Sequence, residues 1–166
     1  MTFEELLQRY AAGERNFAGI NFDKSKILKN VDLTGINLRG VNLSGVRIER
    51  SNLSEADLFG ACMIGSTLIE VNLSRANLTG ASLCRVDWRN VNLSEACLSG
   101  ANLTKAGLQN ANLFFTNLEE AILVQTSLNG STNTESVFRI HDAFIWNLRL
   151  PDGSIDEGPR FEFLEY

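Results

Sequence analysis

From Leu28 to Leu128 a large apolar residue recurs at every fifth position, giving 21 consecutive repeats, of which 18 carry Leu and the others Ile48, Met63 and Trp88. Two positions before each, in all but the first repeat (Lys26), stands a small or β-branched residue: Ala nine times, Val six, then Ser, Thr and one Ile. The position between is Asn nine times and Asp three times. A period of five fits no α-helix, because at about 100° per residue successive leucines would rotate by about 140° and appear on every side. It fits no flat strand either, since alternation would turn every second Leu out of the core unless the chain bends once per repeat. The pattern therefore predicts short extended sides joined by corners. Leu and the small residue point inward, while Asn or Asp and the last two positions face water.

Segments such as VNLSG (41–45), ANLTG (76–80) and ANLTK (101–105) resemble the pentapeptide-repeat family, and the likeness runs over about residues 15–130. The resemblance implies a right-handed quadrilateral β-helix, an all-β solenoid in which four repeats make one coil. With twenty residues per coil, Leu33, Leu53, Leu73, Leu93 and Leu113 stack in one column and Leu38, Leu58, Leu78, Leu98 and Leu118 in the next. Met63 joins Leu43, Leu83, Leu103 and Leu123; Trp88 joins Ile48, Leu68, Leu108 and Leu128. Trp88 exceeds a Leu site, and its indole N–H needs an acceptor. Gly40, Gly60, Gly80 and Gly100 align at one corner, where a turn with positive φ accounts for them. Phe22 and Leu28 are six apart, so one residue is inserted around Asp23–Ile27, a bulge in the first coil.

A solenoid needs its open ends covered. Thr2 with Glu5 forms a capping box, Phe3, Leu6, Leu7 and Tyr10 share a helical face, and Gly13 supplies a stop, so a helix over about 3–12 is expected across the first coil. The organisation expected is an N-terminal capping helix (1–14), the repeat β-helix (15–130) and a C-terminal cap or interaction segment (131–166). After Gly130 the repeat fails, and LRLPDGSI (148–155) reads as a small hairpin. The apolar side chains of this last segment should bury one face over the final coil, with Phe138, Phe144 and Trp146 near Phe114, Phe115, Ile122 and Val124.

Charge narrows the function classes. The 166 residues carry a net charge of -5, and residues 28–130 hold eight bases against nine acids, whereas 131–166 hold three against seven. A nearly neutral rod has no basic stripe for nucleic acid. Some proteins of the resembled family are acidic dimeric rods that imitate duplex DNA, bind type II topoisomerases and confer quinolone resistance. Such mimicry needs dense negative charge along the rod. Met1–Glu5 carry acids where a secretory signal carries bases, and no apolar run reaches the roughly 18 residues of a membrane span, so a cytoplasmic protein without membrane partners is expected.

Catalytic chemistry is sparse. His141, the single histidine, stands beside Asp142 and reads as a surface or capping residue rather than the start of a triad or metal site. No phosphate-binding loop or metalloprotease motif occurs, so no cofactor, metal or catalytic residue is assigned. The repeat generates seven Asn-x-Ser/Thr sequons, by-products of the motif. Cys62 and Cys84 fall on one side in successive coils but two positions out of line, about 8 Å apart between Cα atoms, too far for a disulfide. Outward apolar residues are the remaining signal: Phe59, Ile64 and Ile69 occupy the fourth repeat position, either as a contact patch or as scattered surface residues. The resulting reading is a non-enzymatic interaction or scaffolding module that binds a protein partner or itself, with a DNA-mimicking gyrase protector as the alternative.

Overall fold

The computed structural model describes residues 1–22, 27–134 and 142–161. Strands β1 (Ile27–Lys29), β2 (Arg47–Glu49), β3 (Thr67–Ile69), β4 (Asp87–Arg89) and β5 (Gly107–Gln109) form a parallel sheet in chain order. Each pairs with the strand twenty residues on, so Leu28, Ile48, Leu68, Trp88 and Leu108 lie in register. The remaining sides are held by single parallel bridges at the same spacing, such as Asp32↔Asn52, Asn77↔Cys97 and Ser82↔Asn102. Four repeats thus make one coil of a β-solenoid. We number the sides by their inward columns: side 1 from Leu28, side 2 from Leu33, side 3 from Leu38 and side 4 from Leu43.

Local chemistry explains why each repeat turns. The N–H of the small residue donates to the preceding Leu carbonyl, as from Ala81 to Leu78 at 3.0 Å, closing a turn at most corners. Position five then takes positive φ, near 65° at Gly80 and Gly100. Glycine suits that conformation because it lacks a Cβ. The same region is also occupied by Glu55, Arg75, Asn90 and Lys105, which the expectation of a glycine corner did not foresee. The interior is dry and close-packed: Leu58, Met63, Leu68, Leu73, Leu78 and Leu83 have no exposed surface. Trp88 is equally sealed, and its Nε1–H donates to Ser66 Oγ at 3.4 Å.

Helix α1 (Phe3–Ala11) starts at the expected capping box, with Glu5 N–H donating to Thr2 Oγ1 and Thr2 N–H to Glu5 Oε2. It buries Phe3 and Leu6, sets the Phe3 ring 4.7 Å from Phe22 and lets Tyr10 donate to the Thr34 carbonyl. In this first coil Asn16 bridges to Asn37, one residue more than the regular spacing. The bulge itself falls on residues 23–26, outside the described residues.

Coiling does not end at Gly130, although the sequence repeat does. Strand β7 (Phe144–Trp146) runs parallel to β6 (Ile122–Val124), and β8 (Leu148–Arg149) follows, with Arg149 bridged to Ser127. AFIWN (143–147) and LRLPD (148–152) therefore continue sides 4 and 1 as a further coil. Strand β9 (Ile155–Asp156) closes the expected hairpin on β8 through a Pro-Asp-Gly turn with φ 86° at Gly153. Strand β10 (Arg160–Phe161) pairs antiparallel with β7 and occupies its outer edge.

Candidate functional site

The four sides present different chemistry. On side 2 the second position forms a ladder in which Asn52 donates to Asp32, Asn72 to Asn52, Asn92 to Asn72 and Asn112 to Asn92, at 3.0–3.2 Å. Each of these side-chain oxygens also accepts the N–H two residues on, as Asn72 accepts from Ser74, so the amides are consumed in holding coils together. Asp32 lies below the ordinary carboxylate range because the Thr34 hydroxyl and then its N–H donate to it.

Side 1 carries mixed charge. Glu49 is bound by Lys29 at 3.1 Å and by Arg47, which hold its carboxyl below the usual range, and Arg50 stands 3.9 Å away. A shallow groove of about 200 Å³ is lined by Arg47, Glu49, Arg50, Ile69 and Glu70. Arg89 pairs with Asp87 on the same side, and elsewhere Arg39 pairs with Asp57 and Arg75 with Glu95, at 2.7–3.0 Å. These pairs cancel locally. Among the described residues no three of His, Cys, Asp or Glu gather where a metal ion would bind. His141 falls outside the described residues; its neighbour Asp142 is exposed.

Phe59, Ile64 and Ile69 belong to three successive sides, each stacked with a different column. Phe59 lies under the Arg39 guanidinium at 4.3 Å, Ile64 is 44% exposed, and Ile69 lines the side 1 groove. All three cysteines are free and half-buried; Cys62 and Cys97 sit 3.1 and 3.2 Å from the hydroxyls of Ser44 and Thr79.

The expected burial over the last coil needs correction. Phe144 pairs beside Ile122 and Trp146 beside Val124, yet these rings lie on the outer surface, with Trp146 45% exposed. Ala143 and Ile145 point inward instead, because strand alternation admits only one parity once Ile145 registers on Leu123, and Leu148 turns inward on the next side, past the corner. Phe138 is outside the described residues. Phe114 and Phe115 are 45% and 72% exposed and pack edge-to-face, 4.4 Å between centroids. Phe115 also adopts φ 50°, and every other non-glycine residue described with positive φ is polar. Its fifth position in the repeat was the one signal in the sequence that marks it as outward.

Stacked five-residue turns around a dry Leu column define a solenoid of tandem repeats. The Pentapeptide repeats family pattern matches in eight copies, over residues 16–45, 27–65, 36–75 and 72–110. The chain belongs to that family. Among solved structures, full-length QnrB1, a plasmid-mediated fluoroquinolone resistance protein, is similar at 18% identity over 89% of this chain and 91% of its own, with a TM-score of 0.51. HetL of the cyanobacterium Nostoc sp. strain PCC 7120, a pentapeptide repeat protein involved in heterocyst differentiation regulation, is 26% identical over 94% of this chain and 100% of its own, with a TM-score of 0.35. A pentapeptide repeat protein of the Arabidopsis thaliana thylakoid lumen is 21% identical over 77% and 82%, also with a TM-score of 0.35. No curated protein matches the sequence. Among the described residues no helix is long and apolar enough to cross a membrane.

Proposed function

We propose that the chain is a non-enzymatic interaction module, a rigid rod that presents side chains to a protein partner and carries out no chemistry of its own. The supporting observation is the Phe114–Phe115 pair, two adjoining aromatic rings exposed on the outer surface and packed against each other. Large apolar side chains left in water are the usual mark of a contact site. Many of the rod's charges are spent in local ion pairs, and its side 2 amides in the ladder, and among the described residues no acid and base converge on a common substrate position. A cytoplasmic setting fits this reading.

Gyrase protection by imitation of DNA is the less supported reading. A phosphate-like surface needs continuous negative charge, and Arg39, Arg75 and Arg89 interrupt it on the rod. The test is a pull-down from native cell extract on the immobilised full chain, with the retained proteins identified and then rebuilt from purified components. A defined partner that binds in purified form supports the module; no retained protein under any growth condition overturns it.

A further inference from the structure

In the coils beneath, the place of Phe114 is filled by Thr34, Ser54, Ser74 and Ser94, and that of Phe115 by Gly35, Glu55, Arg75 and Glu95. The two aromatic rings are thus a departure at one end of a regular side. They bring two costs that the edge-to-face contact between the rings offsets only in part. An L-residue in the left-handed region is strained, more so when bulky. An aromatic ring 72% exposed forfeits its burial energy. Polar residues at the other corners hold the same turn with their side chains in water, so the fold does not require an aromatic here.

The surrounding charge says what would cover the rings. Residues 111–134 contain Glu119 and Glu120 and no Lys or Arg. Both glutamates are exposed on side 3 of the same coil, and among the described residues their side-chain contact is the 3.4 Å bond from Asn117 to Glu119. Glu95, directly beneath Phe115, is matched by Arg75. Among the described residues the coil therefore offers an exposed apolar pair and, one corner further along, two carboxylates without a cationic partner. A second copy of the chain fits this poorly, because a two-fold contact sets the same patch against itself and brings four carboxylates together. Nucleic acid is repelled outright.

We propose that Phe114 and Phe115, with Glu119 and Glu120, form a docking site for a protein segment carrying a large apolar side chain next to Lys or Arg. The inference rests on the interaction-module reading and adds to it a place and a partner chemistry. The rings supply a central anchor and the carboxylates supply selectivity and attraction at the rim.

The experiment selects binders from a displayed random-peptide library on the full-length chain, then titrates the recovered peptides against wild type and variants at low and high salt. Selected peptides should join an aromatic or Leu to Lys or Arg. Phe114→Ser with Phe115→Gly should weaken them about tenfold or more. Glu119→Gln with Glu120→Gln should weaken them several-fold at low salt, with the difference shrinking at high salt. Phe115→Gly should raise Tm while reducing binding, a combination that a structural role for the ring would not give. Acidic or neutral selected peptides, no selected peptide, binding unaffected by the Phe variants, or a lower Tm for Phe115→Gly would each overturn the site. A wild-type dimer that these substitutions convert to monomer would overturn it in favour of a second copy. If a partner from native extract is retained equally by wild type and the Phe variants, the site alone falls and the module reading stands; if wild type retains nothing, the module reading falls too.

Discussion

Trp88 donates its indole N–H to Ser66 Oγ one coil earlier, 3.4 Å away, with both side chains sealed from solvent. Ser66 is one of the small inward residues, where Val46 and Val86 stand in the adjoining coils. Its hydroxyl answers the need that the indole creates. Ser66→Ala should leave the donor unpaired and cost about 1–3 kcal/mol. Chemical denaturation checks this; equal midpoints for wild type and Ser66→Ala would show the bond to be negligible.

Leu78 is fully buried and its neighbour Thr79 faces outward. Leu78→Asp should abolish folding, because an unpaired carboxylate in a dry column costs more than a domain's total stability of about 5–15 kcal/mol. Thr79→Asp should fold and melt within a few degrees of wild type. Comparable melting of the two variants would contradict the inward and outward assignment.

The corner at Gly80 has φ 65° and open space where a Cβ would stand, so backbone conformation alone sets the cost of substitution there. Gly80→Val should destabilise by about 1–2 kcal/mol. Gly80→Asn should cost much less, since Asn30, Asn90 and Asn110 already adopt φ between 54° and 56° at fifth positions. Thermal melts rank the pair, and a reversed order would refute the argument.

Asp32 titrates below its ordinary value because Thr34, through hydroxyl and N–H, and Asn52 donate to its charged form. A carboxylate depressed in the folded state contributes stability above its unfolded pKa of about 4, and that contribution is lost as pH falls through the lower folded value. Glu49 and Asp152 are depressed likewise, so their contributions have the same sign. Asp32→Asn keeps the ladder in the form used by Asn52 and Asn72. Its stability should match wild type more closely at pH 3 than at pH 7, and a gap that widens toward acid would count against this account.

Gyrase should be indifferent to the protein. Micromolar full-length chain should leave DNA supercoiling, and its inhibition by a quinolone, unchanged, because the rod's negative charge is broken by paired arginines. Restored supercoiling in the presence of the drug would make protection the leading function.

By itself the sequence determined the period, the inward columns and the stacking of Leu28, Ile48, Leu68, Trp88 and Leu108, because a Leu every five residues can reach one interior only if the chain turns once per repeat. It also marked the first helix, whose start at Thr2 and Glu5 is a local hydrogen-bond exchange. The tertiary structure decided what local pattern does not encode. Residues 143–150 carry Phe144 where Asn is usual and Leu148 where a small residue is usual, and only pairing with the coil beneath revealed that Ile145 and Leu148 turn inward while Trp146 faces out. Likewise Phe59, Ile64 and Ile69 are near neighbours along the chain, but a corner every five residues sends each to a different side. The exposure of Phe114 and Phe115 likewise depends on contacts that the five-residue pattern does not encode. Periodicity fixes which way a residue points within its repeat; what lies against its outer surface depends on contacts between residues far apart in the chain.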